Sequence, residues 1–309
     1  MIRRREVIKG LTLTMGAAMA GLPEAFGKAL KPRQMKIGYT CITWGTFVPK
    51  PGAHDETLNL ALQDISAEGF WNFETFLQDL TDWEGRGKLA PLLEQYPKLP
   101  LLSAYTEVDV LNPANRKSEI DRLKQQCQVV KKYHGNYIVL QVPGVPRSTY
   151  NFQDHRADIV SGLNDFAKAI TDLGLETGLH QHTGTAVETR DEVYAVMNAV
   201  DTRYLKFAPD VGQLKKGGAD PVQVVKDFLS IVTHMHLKDY KGWRYYSGYC
   251  PLGEGEVDIP AILDLVESKG LGTGVMIELD PSRNGPMTPL ETVKTSKAYL
   301  EKLGFKFRT

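Results

Sequence analysis

From residue 35 onward, short apolar runs alternate with longer stretches in which apolar positions recur every three or four residues. These are the two periodicities of buried strands and amphipathic helices. The pattern predicts strands at 35–41, 70–76, 100–105, 137–142, 175–180, 204–208, 233–239 and 275–279. Between and after them it predicts helices at 55–68, 88–96, 117–133, 152–173, 188–200, 221–230, 260–268 and 290–303. Breakers punctuate the series: Pro143-Gly144 closes the fourth strand, Gly174 stops a helix and Pro221 opens one. Eight strands alternating with eight helices, without a linker or low-complexity stretch, predict an α/β fold, a (β/α)8 barrel forming one domain over 28–309. An open doubly wound sheet would want a glycine-rich phosphate turn after the first strand, and Gly38-Tyr39-Thr40-Cys41 is not one.

Composition narrows the function. A chain of 309 residues, 42% hydrophobic, can bury one large core. With 37 basic and 37 acidic residues its net charge is zero, so no global field favours nucleic acid or an anionic membrane. Cys41, Cys127 and Cys250 form no CxxC pair, which speaks against a thiolate zinc site and leaves at most one incidental disulfide open. The N-terminus reads as an address. Arg4-Arg5-Glu6-Val7-Ile8-Lys9 resembles the twin-arginine export motif, residues 10–21 are too short and weakly apolar to span a bilayer, and Ala18-Met19-Ala20 offers a cleavage site. Residues 1–27 are thus expected to be an export signal with a short linker, and the protein to be periplasmic, without a transmembrane anchor once the signal is removed. Self-association is left open.

Chemistry concentrates at the predicted strand ends, where such a barrel builds its active site. In 233–239 the strand period places His234, His236 and Lys238 on one face. The fifth strand ends in His180-Gln181-His182, the sixth in Pro209-Asp210 and the eighth in Glu278-Leu279-Asp280. Imidazoles and carboxylates converging from four neighbouring strands make a nitrogen and oxygen site for a divalent cation, Mn²⁺ foremost, with Co²⁺, Zn²⁺ or Mg²⁺ also suited. Singly each is weak evidence, since an aspartate at a strand end is commonly a helix cap. An aromatic, glycine-rich loop follows at 240–256, with Tyr240, Trp243, Tyr245, Tyr246 and Tyr249, suited either to stacking on a sugar ring or to packing on a partner subunit.

Thr233 to Asp239 resembles the His-x-His-x-Lys-Asp strand of the xylose-isomerase-like superfamily of TIM-barrel sugar isomerases, epimerases and dehydratases. Asp210-Val211-Gly212, Pro251-Leu252-Gly253-Glu254-Gly255 and Val275-Met276-Ile277-Glu278 match its neighbouring motifs in order. Within it, His180-Gln181-His182-Thr183-Gly184-Thr185 is similar to the His-rich fifth strand of the inosose (2-keto-myo-inositol) dehydratases. The resemblance implies a metal held by His180, Asp210, His236 and Glu278. It departs from the ketose epimerases, whose fifth strand carries a proton-moving glutamate where this chain has His180, and Gln213 stands where relatives place a substrate-contacting histidine. The implied chemistry is metal-assisted enolisation of a carbonyl substrate, with Glu278, His182 or Lys238 as base, the last only if its pKa is lowered. With no glutamate pair, a lyase acting by β-elimination on a keto-cyclitol or 3-keto-sugar glycoside is expected first, and a sugar isomerase or epimerase second. Trp44, Glu74, Gln213 and Trp243 are expected to line the substrate. A nuclease on the same barrel would need more ligands and a basic groove, and a non-catalytic sugar-binding barrel would need no metal.

Changing Arg4 and Arg5 together to Lys should retain the protein in the cytoplasm, read by cell fractionation. Unchanged periplasmic yield would refute the export reading.

Overall fold

In the computed structural model, which describes residues 33–46 and 55–309, the apolar runs become β1 (Ile37–Thr40), β2 (Phe73–Phe76), β3 (Leu101–Glu107), β4 (Tyr137–Gln141), β5 (Glu176–Leu179), β6 (Lys206–Phe207), β7 (Met235–Leu237), the short β8 (Asp239–Tyr240) and β9 (Tyr249–Cys250), and β10 (Val275–Ile277). Every strand but β8 and β9 belongs to one parallel sheet in the order β6-β5-β4-β3-β2-β1-β10-β7. Parallel bridges from Phe207 to Val232 and from Asp210 to His236 bring its two edges together. The sheet therefore rolls into an eight-stranded barrel, as the alternation predicts. Met235, Leu237, Val275 and Ile277 are all buried, because strands in such a barrel have a packed interior on one side and helices on the other. The export signal, its linker and the boundary at residue 28 lie outside the described residues. Among the described residues no helix is long and apolar enough to cross a membrane. All three cysteines are free and buried, so no incidental disulfide forms.

The helices are α1 (Asp55–Ala67), α2 (Leu77–Gly85), α3 (Leu89–Leu93), α4 (Arg116–Lys132), α5 (Phe152–Thr171), α6 (Arg190–Met197), α7 (Val211–Lys216), α8 (Pro221–Asp227), α9 (Ile259–Ser268) and α10 (Pro289–Lys302). Their starts are chemically marked. Thr189 with Glu192 and Thr288 with Glu291 form capping boxes, and Asp220 and Asp258 cap helices that carry proline in their first turn.

Two helices were not expected. α2 follows β2 without a loop, burying Leu77, Leu80 and Trp83, and its nine residues are too few for periodicity to stand out beside the strand. α7 has six residues and includes a glycine, and its signature is local: the Asp210 side chain accepts the Gln213 N–H at 2.9 Å. The helix expected at 88–96 shrinks to α3. The strand expected at 233–239 ends at Leu237, after which β8 turns out to pair antiparallel with β9.

That turn is held by one side chain. The Asp239 carboxylate accepts backbone N–H groups from Tyr240 (2.9 Å), Gly253 (3.0 Å), Gly255 (2.9 Å) and Val257 (3.1 Å). A Cβ at Gly255 would lie 2.2 Å from Asp239 Oδ1, so only glycine lets the backbone come this close. Asp239→Ala leaves these donors without their acceptor. It should lower stability by on the order of 3 kcal/mol and the melting temperature by ~5–10 °C. An unchanged thermal transition would show that the loop is held elsewhere.

Candidate metal centre

Alternation along β7 and the residues flanking it aims His234, His236 and Lys238 into the barrel, where each is at most 1% exposed. Glu74 on β2 meets them from across the interior. Its Oε1 lies 2.7 Å from His236 Nε2, and its Oε2 lies 2.9 Å from His234 Nε2 and 2.6 Å from Ser103 Oγ. Burial pushes the Glu74 carboxyl up, but His236 and His234 outweigh it and bring its pKa down to about 2. An ionised carboxylate only accepts, so both imidazoles present Nε2–H to it. The other ring nitrogen of His236, Nδ1, then faces the mouth.

There His180, just beyond β5, and Asp210, just beyond β6, join it. His180, Asp210 and His236 each offer a ligand atom within 4.8 Å of the others. His180 Nδ1 is buried and makes no hydrogen bond, whereas His236 Nδ1 meets a carboxylate and Asp210 Oδ2 an ammonium. Burial, and then His236, hold His180 well below the usual imidazole range, which keeps a lone pair free to ligate. Asp210 fills two roles: Oδ1 caps α7 and Oδ2 turns inward, 3.1 Å from Lys238 Nζ. Glu278, expected as the fourth ligand, places Oε2 2.8 Å from His236 Nδ1 and Oε1 2.5 Å from Lys238 Nζ. Its carboxyl is pushed up by burial but held well below its usual range by His236 and Lys238.

Lys238 is wholly buried and is also 2.9 Å from Asp280. Burial would lower its pKa, but Asp210, Asp280 and Glu278 raise it well above the usual value, so the lysine is a fixed ammonium and not the base considered from the sequence. A Cβ at Gly212 would sit 2.7 Å from Lys238 Cγ, so this glycine lets α7 approach the buried stem. Asp210, Glu278 and Asp280 face this ammonium, while Glu74 and Glu278 flank His236 and, against burial, raise its pKa well above the usual imidazole range. Buried carboxylates and imidazoles gathered at one mouth, with His180 Nδ1 left without a partner, suit a divalent cation.

Other expected residues have different company. His182 and Gln213 are joined, Gln213 Nε2 to His182 Nε2 at 2.6 Å, while His182 Nδ1 meets the Thr183 carbonyl at 2.7 Å. Gln213 Oε1 also accepts from Thr183 N–H and Oγ1. Burial and Lys238 lower the His182 pKa. His182 is therefore a neutral imidazole oriented by Gln213, unsuited to protonating a leaving oxygen, and Gln213 finds its partners inside the protein. Glu74, His180, His182 and Glu278 line one small cavity of about 40 Å³ together with Thr40, Cys41, Thr75, Phe76 and Tyr105. Trp44 stands apart, its indole N–H on Asp64 at 3.0 Å, in a neighbouring groove with Tyr246 and Arg283. Trp243 packs in the aromatic loop under Lys241 and donates to the Tyr249 carbonyl. Tyr105 was missed. Its ring meets His180 edge-on at 5.4 Å, and its place at the end of a predicted strand was the available signal. Tyr249 covers the Lys238 ammonium at 4.5 Å, a contact no local pattern marks.

A family model of the xylose isomerase-like TIM barrel matches residues 62–303. An inosose dehydratase of Clostridium botulinum (strain Alaska E43 / Type E3) is 27% identical over 157 residues, 45% of this chain and 52% of that protein, so the match spans about half its length. An inosose dehydratase of Clostridium tetani is 20% identical over 292 residues, 87% of this chain and 97% of that protein. Among solved structures, the probable 3-DHS dehydratase AsbF of Bacillus anthracis is similar with a TM-score of 0.69 at 17% identity, covering 86% of this chain and 99% of that one. The IolI protein with a zinc atom is similar with a TM-score of 0.68 at 18% identity, covering 87% and 98%. These structural likenesses concern the fold.

His236→Ala removes the imidazole that links Glu74 to Glu278 and belongs to the cluster with His180 and Asp210. The variant should lose stoichiometric divalent metal by elemental analysis while the wild type carries it. Full retention would reject this donor set.

Proposed function

The chain belongs to the xylose isomerase-like TIM barrel family, and we propose that within it the protein is a divalent-metal-dependent lyase, enolising an oxidised carbohydrate and expelling its β-substituent. The observation that carries this reading is the mouth of the barrel: a neutral His180 with Asp210 and His236, and an ionised Glu278 beside them. A divalent cation held by His180, Asp210 and His236, with Glu278 adjacent, would act as a Lewis acid on a substrate carbonyl and favour loss of the neighbouring proton. Mn²⁺ is the ion proposed, with Co²⁺, Zn²⁺ and Mg²⁺ compatible with the same donors.

Glu278 takes the α proton in this scheme, its carboxylate kept ionised by Lys238 and His236. The carbon–oxygen bond at the β position then breaks, a carbon–carbon double bond forms, and Glu278 returns its proton to the departing oxygen as water or an alcohol. Lys238 remains an ammonium throughout and holds Glu278 Oε1 in place. His180, as a ligand, has no lone pair for a second proton transfer. An epimerase needs a base on each face of the reacting carbon, and a second ionised carboxylate aimed at the cavity is not found at the His180 position. The substrate class is a keto-cyclitol such as an inosose, or a 3-keto-sugar glycoside, a choice supported by the inosose dehydratase relatives. Periplasmic residence through the twin-arginine route belongs to the same proposal, supported by Arg4-Arg5 and the weakly apolar run after it.

Incubating the metal-loaded protein with inososes, keto-sugars and 3-keto-glycosides in D₂O, followed by mass analysis, tests the reading. Loss of water or aglycone is expected, and His180→Glu should slow it at least ~10-fold. A deuterium-labelled isomer with no elimination would replace the lyase by the isomerase or epimerase alternative.

A further inference from the structure

Glu74 was expected to touch substrate, yet both its oxygens are occupied by the protein. Oε1 faces His236 Nε2 at 2.7 Å, and Oε2 faces His234 Nε2 at 2.9 Å and Ser103 Oγ at 2.6 Å. All four residues are at most 1% exposed. The partners come from two other strands: Ser103 lies on β3, while His234 adjoins and His236 lies on β7, across the barrel from β2. Tyr137 stacks on the His234 ring at 4.6 Å and 19°, and its hydroxyl pairs with Thr233 at 3.0 Å, so His234 is braced as well.

Glu74, His234 and His236 could also be read as a metal-binding group, since their ligand atoms are close enough. In the structure these groups hydrogen-bond directly to one another. Metal–nitrogen and metal–oxygen bonds of ~2.0–2.2 Å at a tetrahedral angle hold nitrogen and oxygen about 3.4 Å apart. Contacts of 2.7 and 2.9 Å are direct hydrogen bonds. We propose that Glu74 is a positioning residue: by accepting Nε2–H from His236 it fixes that ring's orientation, so that Nδ1 is turned to the mouth where Glu278 Oε2 meets it at 2.8 Å and a metal would bind, and by accepting Nε2–H from His234 it is itself pinned to the barrel wall. A carboxylate behind a ligating imidazole orients the ring and strengthens it as a donor. His234 thereby acts on the metal at one remove, through Glu74. The inference rests on the proposed metal site, while the Nε2–H signals test the hydrogen-bonded clamp without metal.

The test uses the full chain labelled with ¹⁵N-histidine, first metal-free and then loaded with zinc. Metal-free wild type should show slowly exchanging Nε2–H protons on both His234 and His236. With zinc, His236 should show a metal-bound Nδ1 and a retained Nε2–H. Glu74→Gln presents one acceptor and one donor group to two N–H groups, so at least one Nε2–H should lose protection and the zinc dissociation constant should rise ~10–100-fold, with thermal unfolding still cooperative. Zinc affinity within about threefold of wild type with unchanged Nε2–H signals would overturn the proposal. So would two zinc ions bound per wild-type chain with one lost in Glu74→Gln, which would make Glu74 a ligand. If the variant fails to fold, the wild type decides alone, because an unprotonated Nε2 on His236 contradicts the clamp. A wild type that takes up no metal defeats the proposed function instead, and the metal-free spectrum still tests the clamp.

Discussion

A positive charge placed wholly out of water must be surrounded by negative charge, and Lys238 imposes that condition on the mouth of this barrel. Its ammonium is 3.1 Å from Asp210, 2.5 Å from Glu278 and 2.9 Å from Asp280, carboxylates that follow β6 and β10, with Tyr249 over the top. Removing any one of them would leave the others bound to an arrangement that no longer balances. The strand ends carrying the chemistry are thereby locked into one relative position. The tight packing of Gly212 against the lysine stem is part of the same requirement.

Around this ammonium the barrel interior is layered. Deepest lies the hydrogen-bonded group of His234, Glu74 and His236; above it lies the cluster of His180, Asp210 and His236, with Glu278 at the side. His236 belongs to both layers, one ring nitrogen in each. Asp210 couples a structural and a chemical role in the same way, with one oxygen closing the first turn of α7 and the other facing the cavity. Such double use keeps a site with several buried charges ordered: the ligand atoms of His236 and Asp210 are each oriented by a second bond made by the same side chain.

The electrostatics also divide the acid–base groups. Glu278 is held ionised by a lysine and an imidazole, while His182, lacking any carboxylate partner and facing Lys238, is held neutral. One ready base thus stands beside a cluster of two imidazoles and an aspartate. Asp239, by contrast, supports the site from outside, anchoring the loop that returns the chain toward α9.

Much of this was legible along the chain. Periodicity alone located eight strands and most of the helices, because strand and helix burial are local consequences of residue spacing. Parity in 233–239 placed His234, His236 and Lys238 on one face, and the strand-end rule picked out His180, Asp210 and Glu278. Two short helices escaped, since nine and six residues carry too little period to read. What each side chain does at the mouth was decided only by closure of the barrel. Glu74 meets His236 across 162 residues of sequence, Gln213 turns to His182 across 31, and the charge state of Lys238 depends on carboxylates from two other strand ends. Hydrogen bonds and ion pairs act over a few ångströms of space, whatever the separation in sequence. Residue spacing could therefore determine the face a side chain occupies, but the partners that set its protonation and its direction had to come from the fold.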